Sequence, residues 1–202
     1  MSSDTNAPAP LPDLGHAAAE LTRLLANIRD DQLKGPTPCP EYTLRDLLAH
    51  IAGLSVAFQD AARKNLGPTT GTAPSSTRPP ELPADWRGSL PLALAAMAAA
   101  WRDPAAWAGT TQAGGLTLPA SVAGCVALDE LVVHAWDVAR ATGQAYRPAP
   151  ADLEVSYAFL APSKDDPASR GDAFGPAVDV PADAPPLDRL IGMSGRDPGW
   201  TP

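Results

Sequence analysis

The chain is poor in several features that would settle its chemistry at a glance. It has only two cysteines, Cys39 and Cys125, in 202 residues. Two are too few for a cysteine-based zinc site, and in a chain without a secretory signature they are expected as free thiols rather than a bridge. Basic residues are outnumbered, 15 Lys and Arg against 23 Asp and Glu, for a formal net charge of -8. That deficit offers no basic patch to nucleic acid or to an anionic membrane surface, so neither is expected as a partner. No apolar run is long enough to span a bilayer. The opening "MSSDTNAPAPLPD" has neither the basic n-region nor the apolar h-region of a secretory signal, so a cytoplasmic location is expected.

Proline, by contrast, is plentiful, with 24 copies gathered in a few stretches. They punctuate the chain, and the compact part is expected to be smaller than the whole. Residues 1–11 read as a disordered tail. Leu14, Ala17, Ala18, Leu21, Leu24, Leu25 and Ile28 then follow the spacing of one buried helical face. "KGPTPCPEY" ends that helix, because its three prolines cannot sit in a helix interior. Thr43 and Asp46 form a capping box that opens a second helix running to about Lys64.

The stretch from Leu66 to Pro83, rich in Pro, Gly, Ser and Thr, reads as a long loop. A third helix carries Leu90, Leu94, Met97 and Trp101 on one stripe, with Pro91 expected in its first turn. Thr110 to Ala120 looks hairpin-like, and a fourth helix covers roughly Ser121 to Thr142, with Gly143 as its stop. A shorter helix over Asp152 to Leu160, a short strand at "AVDV" (Ala177 to Val180) and a last helix near Pro186 complete the reading. The fold class is therefore mainly all-α, an up-down four-helix bundle over 12–160 with a long crossover loop. Residues 161–202 form a small irregular C-terminal extension whose short helix packs on the bundle.

The informative stretch is "VALDELVVHAWDVARA", Val126 to Ala141. Glu130, His134 and Asp137 interrupt it within an arc about 60° wide on a helical wheel, and Asp129 and Arg140 lie further round. Taken alone, such an arc reads as a solvated face. The second helix points elsewhere. His50 sits at the edge of its apolar face beside Leu47, Leu54 and Phe58, with Gly53, Ala57 and Ala61 leaving room nearby. Facing helices of a bundle are where imidazoles and carboxylates assemble metal sites. His50, Glu130 and His134 would supply two imidazoles and one carboxylate and leave coordination positions open. Zinc is the default ion, with nickel, iron or manganese also compatible.

The pair "PTPCPEYTLRDLLAHIAG" and "DELVVHAWDVARATG" resembles the mycothiol-dependent maleylpyruvate isomerase metal-binding family of the DinB-like four-helix superfamily. The tail from Phe159 to Trp200 is similar to that of an actinobacterial metal-binding group within the family. The resemblance implies a metal held at His50, Glu130 and His134. It implies mycothiol as a cosubstrate, so that the partners would be a small-molecule thiol and an electrophile. The family's catalytic arginine lies in a larger C-terminal domain. In this shorter tail Arg170, Arg189 and Arg196 are all available, and surface salt bridges would account for each equally well. Asp137 could orient a ligand histidine or pair on the surface with Arg140 or Arg45. Asp46 is expected to serve the cap, Cys39 to be a small buried thiol near the site, and Trp101 and Trp136 to be core or site walls.

Three functions fit these readings. The first is a metal- and thiol-dependent isomerase or S-transferase, for which Asp137, Arg170 and Arg196 are catalytic candidates and a homodimer is admitted. The second is a non-catalytic metal-binding or sensing protein of the same fold. The third, a plain helical interaction module, would require His50 and Glu130 to face apart.

Overall fold

The computed structural model describes residues 10–72, 81–166, 170 and 174–202. In chain order the helices are α1 (Gly15–Leu25), α2 (Leu44–Arg63), the single turn α3 (Pro68–Gly71) and α4 (Trp86–Ala100), followed by α5 (Ala120–Thr142), α6 (Pro150–Leu160) and α7 (Pro186–Met193). Between α4 and α5 an antiparallel hairpin pairs β1 (Thr110–Ala113) with β2 (Leu116–Pro119). The expected all-α bundle with a hairpin-like insertion is therefore present. All but Pro10 and Leu11 of the tail expected over 1–11 lies outside the described residues.

Each bundle helix buries one apolar face. Leu21, Leu24 and Leu25 of α1, Leu44, Leu47 and Leu48 of α2, and Leu90, Leu94 and Met97 of α4 are almost fully removed from water. Burying side chains of this size is worth roughly 1.5–3 kcal/mol each before the entropy of ordering them is charged against it. The helices close into a ring in which α1 and α2 stand opposite each other, each touching both α4 and α5. A hydrogen bond from Trp101 Nε1 to the Phe58 carbonyl (3.1 Å) and one from Trp107 Nε1 to the Trp101 carbonyl (2.7 Å) satisfy the two buried indoles. Gly124 lies directly beneath these rings, where a Cβ would come within 2.4 Å of Trp107.

α5 is different. It is buried almost all the way round, walled by α1, α2, α6, the hairpin and the 3-10 turn Pro104–Trp107. A helix that is largely apolar on every side belongs inside a fold rather than on its surface. The arc of Asp129, Glu130, His134 and Asp137 therefore does not face water, contrary to the reading of this helix taken alone.

Three local expectations change. α4 begins at Trp86, so Pro91 lies inside the helix rather than in its first turn. The apolar stripe extends one turn earlier through Trp86, and Arg87, whose carbonyl loses its helical donor, is exposed where water can serve it. The strand expected at Ala177–Val180 is coil. It has no neighbouring strand among the described residues and makes one bond from the Val178 N–H to the Gly192 carbonyl. The loop from Leu66 to Pro83 contains α3, and residues 73–80 lie outside the described residues. Both cysteines are free, and no helix among the described residues is long and apolar enough to cross a membrane.

Candidate metal centre

The chain enters α2 through a turn that its own sequence holds shut. The buried Thr37 hydroxyl accepts from the Cys39 N–H (3.1 Å) and lies within reach of the carbonyls of Cys39 (3.0 Å) and Tyr42 (2.9 Å). Thr43 then caps α2: Asp46 N–H donates to the Thr43 hydroxyl (3.3 Å), and Thr43 N–H donates to the Asp46 carboxylate (3.1 Å). Asp46 is thus the capping residue. The turn places Tyr42 against the His50 ring, with centroids 5.5 Å apart, and brings Cys39 up to α5.

Helical spacing does the rest. On neighbouring turns of α5, Glu130 Oε2 lies 2.9 Å from His134 Nε2, and Asp137 Oδ2 lies 2.9 Å from His134 Nδ1. His50 meets His134 edge-on from α2, ring centroids 5.1 Å apart at 90°. One ligand atom from each of His50, Glu130 and His134 can be chosen so that all lie within 4.8 Å of one another. The three residues named from sequence therefore meet at one point.

A second group lies on the far side of the same imidazole. Cys39 Sγ is 3.3 Å from Asp137 Oδ2. Arg196, from the segment after α7, donates from Nε to Asp137 Oδ1 (2.9 Å) and Oδ2 (3.1 Å), and from Nη2 to Oδ2 (3.0 Å). The turn that delivers Arg196 needs a glycine. Gly195 has φ +87°, and a Cβ there would approach the Gly175 carbonyl oxygen to 2.8 Å.

The electrostatics of these groups diverge. Burial, then the neighbouring His134, push the His50 pKa down to about 4, so it is a neutral imidazole at physiological pH. Burial alone would raise Glu130, but the His134 hydrogen bond and charge outweigh it and its pKa falls. Burial likewise opposes ionisation of Asp137, which is fully enclosed, yet the Arg196 charge and His134 hold it low. His134 sits between two carboxylates. Burial works against its charged form, but bonds to Asp137, Cys39 and Glu130 raise its pKa well above the usual histidine value. It is an imidazolium in this arrangement, with a proton facing each carboxylate.

This donor set suits a divalent ion. It supplies one neutral imidazole, one ionised carboxylate and a second imidazole whose Nε2 proton an ion would replace. Ligands about 2.1 Å from a tetrahedral ion lie roughly 3.4 Å from one another, so the widest pair need close by no more than about 1.4 Å. Cys39, His134 and Asp137 also gather within 4.8 Å. There the Arg196 guanidinium already stands, 3.3 Å from Cys39 Sγ. The cation position on the Nδ1 side is taken by the protein itself.

The remaining sequence candidates sort clearly. Arg196 and Asp137 are at the centre, bound to each other. Arg170 is buried and spends Nε and Nη2 on the carbonyls of Gly175 (2.9 Å) and Met193 (2.8 Å). Arg189 lies over the Tyr157 ring. Arg140 donates to the Trp200 carbonyl and covers Trp136, so it does not pair with Asp137. Asp129, assigned from sequence to a wet face, is 1% exposed. Tyr42 was not singled out, and no periodicity marks it because it lies in the turn before α2.

Residues 14–139 match the family described as the mycothiol maleylpyruvate isomerase N-terminal domain. Uncharacterized proteins from two strains of Mycobacterium tuberculosis are 31% identical over 189 residues, covering 92% of this chain and 97% of theirs. The crystal structure of the mycothiol-dependent maleylpyruvate isomerase superposes with a TM-score of 0.53 at 20% identity, covering 71% of this chain. A histidine-to-alanine mutant of that isomerase gives a TM-score of 0.56 at 20% identity, covering 79% of this chain and 70% of the mutant. These likenesses establish the shared bundle fold. This chain spans 65% of the length of the first of those two structures.

Proposed function

This chain belongs to the mycothiol maleylpyruvate isomerase N-terminal domain family, and from that premise we propose a metal- and thiol-dependent isomerase or S-transferase acting on a small electrophile, with mycothiol as the thiol. The observation that carries the reading is the convergence of neutral His50, ionised Glu130 and His134 within 4.8 Å. Zinc is the first choice of ion, and nickel, iron or manganese would accept the same donors. A divalent ion held there would supply the positive charge that lowers the pKa of a thiol.

The chain's own residues do the positioning. Glu130 and His134 hold their donor atoms on one face of α5, and His50 closes the set from α2. Asp137 accepts a hydrogen bond from His134 Nδ1–H and fixes which nitrogen faces the ligand set. A groove of about 720 Å³ lies beside Arg196 and Tyr42, with Lys34 and Trp200 on its walls, and gives room for small molecules. An apolar recess lined by Ile51, Leu54, Phe58, Met97 and Leu131 reaches Glu130. For isomerisation, the thiolate sulfur bonds to one carbon of a conjugated double bond while the π pair moves toward its carbonyl. The resulting single bond rotates, and the thiolate leaves unchanged. No other reactant is consumed.

The test has two stages. The protein purified without chelator should carry close to one divalent ion per chain by mass spectrometry, and His50→Ala and His134→Ala should each lose it. Equal metal content in wild type and both variants would sink the site. The loaded protein should then turn over electrophiles only when mycothiol is present. Bound metal without any thiol-dependent turnover would favour the second reading, a binding or sensing protein.

A further inference from the structure

We propose that Arg196 is a positioning residue of the centre. It fixes the Asp137 carboxylate against His134 Nδ1, and so directs His134 Nε2 toward Glu130 and His50. The inference rests on the ligand set proposed above and assigns a role to the C-terminal segment that the ligand residues alone do not require.

Three observations carry it. The first is that Asp137 is fully enclosed, out of contact with bulk solvent. Such a carboxylate keeps its charge only if donors surround it. Its donors are His134, Cys39 and Arg196, and Arg196 alone among them is a permanent cation touching both oxygens. The second concerns the tautomer. The Asp137 carboxylate accepts from Nδ1–H, which ties up that nitrogen, and Nε2, whose proton an ion would displace, is the nitrogen aimed at Glu130 and His50. The third is that the guanidinium has little left to offer a substrate. Nε and Nη2 serve Asp137, Nη2 also meets Cys39 Sγ (3.3 Å), and Nη1 donates to the Ser194 carbonyl (3.2 Å) near the Ser194 hydroxyl (3.5 Å). Its side chain is only 13% exposed. A group placed to stabilise charge on a reacting molecule would keep a donor free and pointed at it. Here every guanidinium nitrogen faces the protein.

The segment bearing Arg196 is tied to α5 twice, through Asp137 and again through Arg140, which donates to the Trp200 carbonyl. That second tie supplies the control. If Arg196 merely anchored the segment, Arg140→Ala would reproduce the effect of its removal. If it positions His134, the two variants will differ.

The experiment compares wild type, Arg196→Ala, Arg196→Lys, Asp137→Asn, the Arg196→Ala/Asp137→Asn double variant and Arg140→Ala, each checked for folding by circular dichroism. Zinc affinity is measured by competition with a chromophoric chelator, and the absorption of bound cobalt reports ligand geometry. The imidazole nitrogens are followed by NMR in the metal-free protein, where three histidines make assignment tractable. Arg196→Ala and Asp137→Asn should each weaken zinc binding by about 10–100-fold, as loss of a partner behind a ligand histidine does elsewhere. The double variant should be no worse than the poorer single one, because both changes act along one path. Lysine should restore part of the loss, Arg140→Ala should leave affinity and cobalt spectrum unchanged, and the His134 Nδ1–H signal should shift in Arg196→Ala.

Wild-type zinc affinity, cobalt spectrum and Nδ1–H signal in Arg196→Ala would overturn the proposal, even if turnover were lost. Additive losses in the double variant, or an Arg140→Ala that matches Arg196→Ala, would overturn it too. Should wild type bind no ion that His50→Ala removes, the ligand reading fails by itself. The NMR comparison still decides whether Arg196 orients His134, since it needs no metal.

Discussion

Two carboxylates on α5, Asp129 and Asp137, are equally hidden from water and sit in opposite surroundings. Asp137, on the side toward α2 and the C-terminal segment, is ringed by donors and stays ionised. Asp129 has one oxygen, Oδ1, with no hydrogen-bond partner among the described residues. Burial, reinforced by the adjacent charge of Glu130, raises its pKa to about 8. Burial alone therefore does not mark a functional side of a helix. What distinguishes the two is whether the structure has assembled groups to hold a charge there. It has done so for Asp137, Glu130 and His134, and has left Asp129 as a neutral acid at physiological pH.

The contrast breaks most visibly if the charge partners are removed. Replacing Asp137 by leucine leaves the Arg196 guanidinium buried without its anion and strips His134 of its Nδ1 acceptor. A loss of about 3–5 kcal/mol is expected, the usual cost of orphaning one member of a buried ion pair. Urea denaturation at neutral pH would measure it. A change below 1 kcal/mol would mean that the pair is not the organised unit described here.

Asp129 should respond in the other direction. Its unfolded form loses its proton near 4, whereas the folded form holds it until about 8. Between those values the folded state binds more protons than the unfolded one, so this group makes stability fall as pH rises. Asp129→Asn, which cannot ionise, should flatten that slope, by something on the order of 1–3 kcal/mol across the window. Denaturation midpoints at pH 5 and pH 8 would show it. An unchanged slope in the variant would place Asp129 on the same footing as Asp137.

Why sequence separated these two residues poorly is physical. A helical wheel reports angle, not surroundings, and the arc from Asp129 to Arg140 has the width of an ordinary wet face. Contacts supplied from elsewhere, among them α2, α6 and the Arg196 segment, bury it. The bundle itself was legible because its signals are local: the Thr43–Asp46 cap, the leucine spacing of α1 and α2, the stop at Gly143. His50, Glu130 and His134 were legible as a set because two of them are one turn apart and the third interrupts an apolar face. The partnership of Arg196 with Asp137 spans 59 residues and an irregular segment, so nothing periodic announces it. The coil at Ala177–Val180 misled for the related reason that a strand needs a neighbour, and propensity does not supply one.

Asp46 gives the mildest test of the comparison. It lies one turn before His50 and is a carboxylate like Asp137, but it binds backbone and hydroxyl at the start of α2 rather than a histidine. Asp46→Ala should cost about 0.5–2 kcal/mol, the range for losing a cap contact. It should also leave the cobalt spectrum and zinc affinity of the loaded protein unaltered. Thermal denaturation and chelator competition on one preparation would separate the two readouts. If the cobalt bands moved, the first turn of α2 would be coupled to His50 strongly enough that a cap belongs to the centre, and the line between a carboxylate that holds the fold and one that holds the site would have to be redrawn around α2 as well as α5.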